Sequence, residues 1–122
     1  MKNKVPVSIQ GLLICIFSNR RYYQRKWDDL CYVATCDHYC EFFFNSGSPI
    51  VAKISLEKLM AILPEISFYR CHKKFLIHLK IINEAVVFVD HIDYRGKKID
   101  ISRDTIDVLI QKSLEYQAGL VN

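Results

Sequence analysis

The feature that most limits this chain is the shortness of its apolar runs. LLICIF (12–17), LCYVATC (30–36), YCEFFFN (39–45), FLIHLKII (75–82) and AVVFVDH (85–91) all stop within eight residues. They are rich in β-branched and aromatic side chains, which fit a pleated, half-buried surface. Turn signals separate several of them: Asp37-His38, Ser46-Gly47-Ser48-Pro49, and Tyr94-Arg95-Gly96-Lys97 ahead of a returning run, Lys98–Ile101. RYYQRK (21–26) reads as a polar-aromatic edge segment. In 75–82, alternation places Phe75, Ile77, Leu79 and Ile81 on one face. The chain is therefore expected to be mainly short strands.

Two segments change period. In SLEKLMAIL (55–63), Leu56, Leu59, Met60 and Leu63 fall at helical spacing, with Ser55 placed to cap and Pro64 to stop. Near the C-terminus, Ser102 is read as a cap, with Ile106, Leu109, Ile110 and Leu114 as the apolar stripe. Asp104 and Asp107 suit the positive end of that helix dipole. The expected class is mainly β with minor α+β character: packed strands, a short central helix and a C-terminal helix.

At 122 residues the chain is about one domain, long enough to bury a core without disulfide or metal staples. Residues 1–11 are read as a lead-in and 12–122 as the domain. Five cysteines, Cys15, Cys31, Cys36, Cys40 and Cys71, show no framework spacing and read as reduced thiols. The first apolar run is interrupted by Ser8, Gln10 and Gly11 and followed by Arg20-Arg21. It is shorter than the roughly 20 apolar residues that span a bilayer. A cytoplasmic protein with no membrane insertion is expected.

The formal net charge is +4, a mild bias that permits an anionic partner. Its distribution is more telling. Basic residues gather at Arg20, Arg21, Arg25 and Lys26, at Arg70, Lys73 and Lys74, and at Arg95, Lys97, Lys98 and Arg103. Brought together by a fold, these clusters make one positive face.

Four segments then fall in a recognisable order. Trp27-Asp28-Asp29-Leu30-Cys31-Tyr32-Val33 introduces a strand, and Ser55-Leu56 with Leu59 opens the short helix. Phe68-Tyr69-Arg70-Cys71-His72 follows, and Gly96-x-x-Ile99-x-Ile101-Ser102-Arg103 leads into the last helix. This order and spacing, over residues 12–117, resemble the LytTR family of bacterial DNA-binding domains. The resemblance implies an antiparallel β fold that binds duplex DNA, with loops rather than a recognition helix entering successive major grooves. It implies base-reading roles for His38, Lys73 and Arg103.

The chemistry of these residues agrees. The Arg103 guanidinium is a rigid fork that can pair with guanine O6 and N7. Lys73 can donate to a base or a phosphate, and His38 can donate or accept at a base edge. Arg70, His72, Lys74, Lys97 and Lys98 suit phosphate contact, which positions without reading sequence. The chain departs from the family pattern in two places. Ile77-His78 stands where a Val-Asn pair is usual, and Lys74 stands where a small Ser is common.

Cys36, His38 and Cys40 alternate along one segment and invite a zinc reading. Their spacing is not that of a finger or ribbon and a fourth ligand is unassigned, so no metal and no cofactor are expected. No nucleophile elbow, Gly-rich phosphate loop or paired carboxylates mark an enzyme. The expected function is sequence-specific duplex binding as a stand-alone transcription regulator without a receiver domain. Direct DNA repeats, a weak homodimer and a regulatory protein partner are the associations considered. The alternative is a protein-interaction module that keeps the fold with weak or no DNA binding.

Overall fold

The computed structural model describes residues 5–120. Most of the short runs form strands, in three antiparallel sheets among the described residues. The first is a meander of β1 (Val7–Gln10), β2 (Leu13–Ser18) and β3 (Arg21–Lys26). The second holds β4 (Leu30–Cys36), β5 (Tyr39–Phe44), β6 (Ile50–Ala52), β7 (Phe68–His72) and β8 (Phe75–His78), in the order β6-β5-β4-β8-β7. The third holds β9 (Val86–Val87), β10 (His91–Tyr94) and β11 (Lys97–Asp100). Helix α1 (Leu56–Ile62) lies between β6 and β7, and α2 (Ile106–Leu120) closes the described chain. None of the described helices is long and apolar enough to cross a membrane.

The five-stranded sheet is covered on both faces. Val33 and Leu76 are register partners and join Ile14, Ile16, Phe42 and Leu59 in one cluster, against the first sheet and α1. The neighbouring partners Tyr32 and Ile77 join Ile92, Ile99, Leu109 and Tyr116 in a second, against the third sheet and α2. Successive side chains of a strand point to opposite faces, so adjacent residues feed different cores.

Several sequence expectations are corrected here. The segment read as a lead-in carries β1, which pairs along β2 from Val7↔Ile16 to Gln10↔Leu13. The 75–82 run is strand only to His78 and then becomes a 3₁₀ turn over Leu79–Asn83. His78 caps that turn: its Nδ1 accepts from the Lys80 backbone N–H at 3.0 Å. Nor does the run have one buried face, because Leu76 and His78 are as buried as Ile77. The 85–91 run yields β9 and the first residue of β10; Phe88 N–H donates to His91 O at 2.8 Å and turns the chain between them.

Helix α2 begins at Ile106, with Leu109 N–H bonding Thr105 O, so Ser102 is not its cap. The face it buries is Leu109, Ser113 and Tyr116, while Ile110 and Leu114 are exposed. The helix is rotated so that the Tyr116 ring meets the edge of His78, at 5.5 Å between centroids. Helix α1 follows expectation, with Ser55 Oγ accepting from Lys58 N–H at 3.2 Å, except that Met60 is exposed.

Candidate nucleic-acid interface

Three chain reversals meet at one end of the five-stranded sheet. In the first, Asp37-His38 joins β4 to β5 directly beyond the pair Cys36↔Tyr39. Asp37 takes a positive φ of 56°, which its short polar side chain tolerates, and His38 is left exposed.

In the second, Lys73-Lys74 joins β7 to β8 beyond His72↔Phe75. A register shift between Arg70 and His72 makes Cys71 the extra residue of a bulge, a device that re-aims side chains. Cys71 turns inward, and burial pushes its thiol pKa up to about 12. The tip is held from inside. Arg70 Nη2 donates to Lys73 O at 2.8 Å, and His72 Nδ1 accepts from Lys74 N–H at 3.1 Å. The second bond makes His72 a structural brace as well as a phosphate candidate. It leaves Nε2 as the donor of the neutral ring. The side chains of Lys73 and Lys74 stay exposed.

The first two reversals lie side by side, because β4 pairs with β8 and Thr35 N–H donates to Lys74 O at 2.9 Å. The third is the segment between β11 and α2. Ser102 N–H donates to Cys71 O at 2.8 Å, fastening that segment to β7 next to the bulge. Arg103 follows, exposed, and Asp104 turns the chain with a φ of 61°. Strand order thus sets His38, Lys73 with Lys74, and Arg103 in a row.

Between His38 and Lys73 opens a concavity of about 480 Å³, also lined by Arg70, Lys53 and Lys58. Lys53 and Lys58 were not singled out from the sequence. They are brought there by the pairing Cys40↔Ala52, which sets the residues after β6 beside the β4–β5 tip. The ion pairs among the described residues are His78–Asp28, His91–Asp90 and Arg95–Glu84. The cations around the concavity and Arg103 take part in none of them.

The basic clusters are spread along their strands. Arg21 and Lys26 stand at opposite ends of β3. Lys97 is at the tip of the β10–β11 hairpin, five residues and roughly 16 Å of extended chain from Ser102. Lys98 is paired in register with Asp93. Its charge is also among the smaller causes that hold the Asp90 carboxyl below its usual range, after the His91 hydrogen bond. Nor do Cys36, His38 and Cys40 converge. Cys40 is buried with Sγ donating to Ile54 O at 3.0 Å and its thiol pushed up to about 11, while Cys36 and His38 are exposed.

His78, at the unusual Ile77-His78 pair, points inward. It is fully buried, with Nε2 2.9 Å from Asp28 Oδ1. Because Nδ1 accepts from Lys80 N–H, Nε2 carries the proton and donates to the carboxylate. Burial lowers its pKa below 6.5, with the Asp28 hydrogen bond opposing. It is a packing element at the far end of β8 from the Lys73-Lys74 tip.

The twice-covered antiparallel sheet thus presents at one end loop cations that join none of the ion pairs among the described residues. The sequence matches the LytTr DNA-binding domain over residues 20–113, and the chain belongs to that family. Among solved structures it resembles the LytTr DNA-binding domain of a Bacillus cereus protein described as a methyl-accepting/DNA response regulator. The TM-score is 0.66 at 17% identity, covering 86% of this chain and 98% of that one, a likeness of fold. Comparison with curated proteins finds no match.

Proposed function

We propose that this chain is a cytoplasmic transcription regulator that reads duplex DNA through the three reversals at one end of its central sheet. His38, Lys73 and Arg103 reach base edges in successive major grooves, and His72 and Lys74 meet phosphates between them. Arg70 meets phosphate too while holding the Lys73 tip. Lys97 and Lys98 lie far enough along β11 to touch only the outer backbone of a longer site. Direct repeats bound by two weakly associated copies are the arrangement that fits a small single module.

The observation that carries this reading is the pair of backbone bonds, Thr35 N–H to Lys74 O and Ser102 N–H to Cys71 O. They clamp three otherwise distant loops into one row.

The test is selection of bound duplexes from a random pool, followed by titration against salt. An enriched motif is expected. Arg103→Ala should cost about 1–3 kcal/mol and relax preference at one position. Lys74→Ala should weaken all sequences alike and reduce the salt slope by about one. Equal losses on selected and random DNA for Arg103→Ala would remove its base-reading role.

A second reading, a protein-interaction module, is favoured by the apolar exposure of Ile66 (64%), Ile110 (47%) and Leu114 (62%). It gains if Arg103→Ala leaves every activity untouched.

A further inference from the structure

The concavity beside His38 contains a group of cations that the three reading positions do not account for. Lys53 and Lys58 line it with Arg70 and Lys73, against the acids Asp37 and Glu57, four positive charges to two negative. None of these four cations is engaged in an ion pair among the described residues. By contrast, Arg95 is engaged with Glu84.

Lys53 and Lys58 are also firmly placed. The residues alternating with them, Ile54, Leu56 and Leu59, are buried in the first core cluster. The Cys40 thiol donates to Ile54 O, and Ser55 Oγ accepts from Lys58 N–H, so the turn from β6 into α1 has little freedom at either lysine. Two exposed ammonium groups on a rigid base, beside a loop aimed at a groove, suit a fixed row of anions.

We infer that Lys53 and Lys58 grip the DNA phosphodiester backbone flanking the groove that His38 enters. This extends the footprint outward, on the side away from Arg103. The inference rests on the proposed DNA reading. The ligand is the duplex backbone itself, because β6 lies beyond β5 in the sheet, which sets Lys53 on the side of His38 away from Arg103, and Lys58 lines the same concavity. Ammonium groups are point charges, so these contacts add affinity and salt dependence without base preference.

The experiment uses the full chain and a duplex taken from the random-pool selection. Lys53→Gln and Lys58→Gln are made singly and together, with Lys53→Arg/Lys58→Arg as the charge-preserving control. Each Gln change is expected to lower the slope of log K against log salt by about one, and the double change by about two. The Arg control should keep the wild-type slope, and the preferred sequence should stay the same in all variants. Shortening the duplex on the His38 side should abolish the difference between wild type and the double variant. Shortening it on the Arg103 side should preserve that difference.

A double Gln variant with wild-type affinity and slope, while Lys74→Ala weakens binding, would overturn the clamp and leave the DNA reading standing. Wild-type protein that binds no duplex at low salt would overturn both. A slope lowered equally on the full-length and His38-side-shortened duplexes would place the lysines outside the backbone contact and overturn the clamp.

Discussion

At the scale of single residues, the proposed interface is built from side chains that hold a loop and side chains that are held out by it. Arg70 belongs to the first group. Its Nη2 anchors the carbonyl of Lys73, while its Nε is buried without a partner among the described residues. Arg70→Ala is expected to free the Lys73 tip. Affinity should fall on every duplex by about 1–2 kcal/mol, and preference at the Lys73 position should weaken as well. Titration of selected and scrambled duplexes checks this. A loss on both without any change of preference would make Arg70 a phosphate contact only. Legibility at this scale follows chain distance. Arg70, His72, Lys73 and Lys74 could be read together because they are neighbours in the sequence. His38 is a candidate only through the resemblance, whereas Arg103 also stands out as one of a basic cluster. Lys53 and Lys58 were missed because only the β5–β6 pairing brings them to His38. Lys97 and Lys98 looked equivalent to the others, since charge alone does not reveal which end of a strand a residue occupies.

At the scale of elements, misreadings cluster where burial is two-sided. Alternation in 75–82 suggested one apolar face, yet β8 lies between β4 and β7 with cores above and below. A strand buried on both faces loses its alternation, and His78 is the polar residue this environment encloses. It is hemmed in by Asp28 and Lys80, with the rings of Phe68 and Tyr116 packed on it. Burial disfavours the imidazolium most, the nearby Lys80 charge adds to it, and together they outweigh Asp28, which favours it. The folded-state pKa is therefore below the unfolded value. Between the two, the unfolded chain binds more protons, so stability rises with pH through that window. His78 should cost the fold nothing above about pH 6.5 and should progressively destabilise it as pH falls below that value. His78→Asn keeps an acceptor for Lys80 N–H but does not titrate. Thermal midpoints measured from pH 5.5 to 7.5 should fall on acidification in the wild type and flatten in this variant. Parallel curves would assign the acid sensitivity to another group. Helix α2 was misread for the opposite reason. Its buried stripe runs through Ser113, which an apolar pattern passes over.

At the scale of the whole molecule, the five-stranded sheet is at once the wall between two cores and the frame of the proposed interface. The turn signals and the period change at 55–63 made the strand-rich class legible. The layering was not, because a short apolar run looks the same whether it feeds one core or two. The adjacent residues Leu76 and Ile77 separate the layers cleanly. Leu76 packs with Phe42 and Leu59, and Ile77 with Ile92 and Leu109. Each change to Ala should cost about 2–5 kcal/mol, a large part of the roughly 5–15 kcal/mol that holds a domain folded. Because both layers share β4 and β8, neither can melt without removing a wall of the other. Denaturant titration of Leu76→Ala and Ile77→Ala should therefore show one transition each, coincident by fluorescence and circular dichroism. DNA binding should disappear within that same transition, since the Lys73-Lys74 tip hangs on β7 and β8 and the Arg103 segment on Cys71. If Ile77→Ala unfolds in two steps with binding lost in the first, the second core is a separate unit that positions Arg103, and the shared-wall account fails.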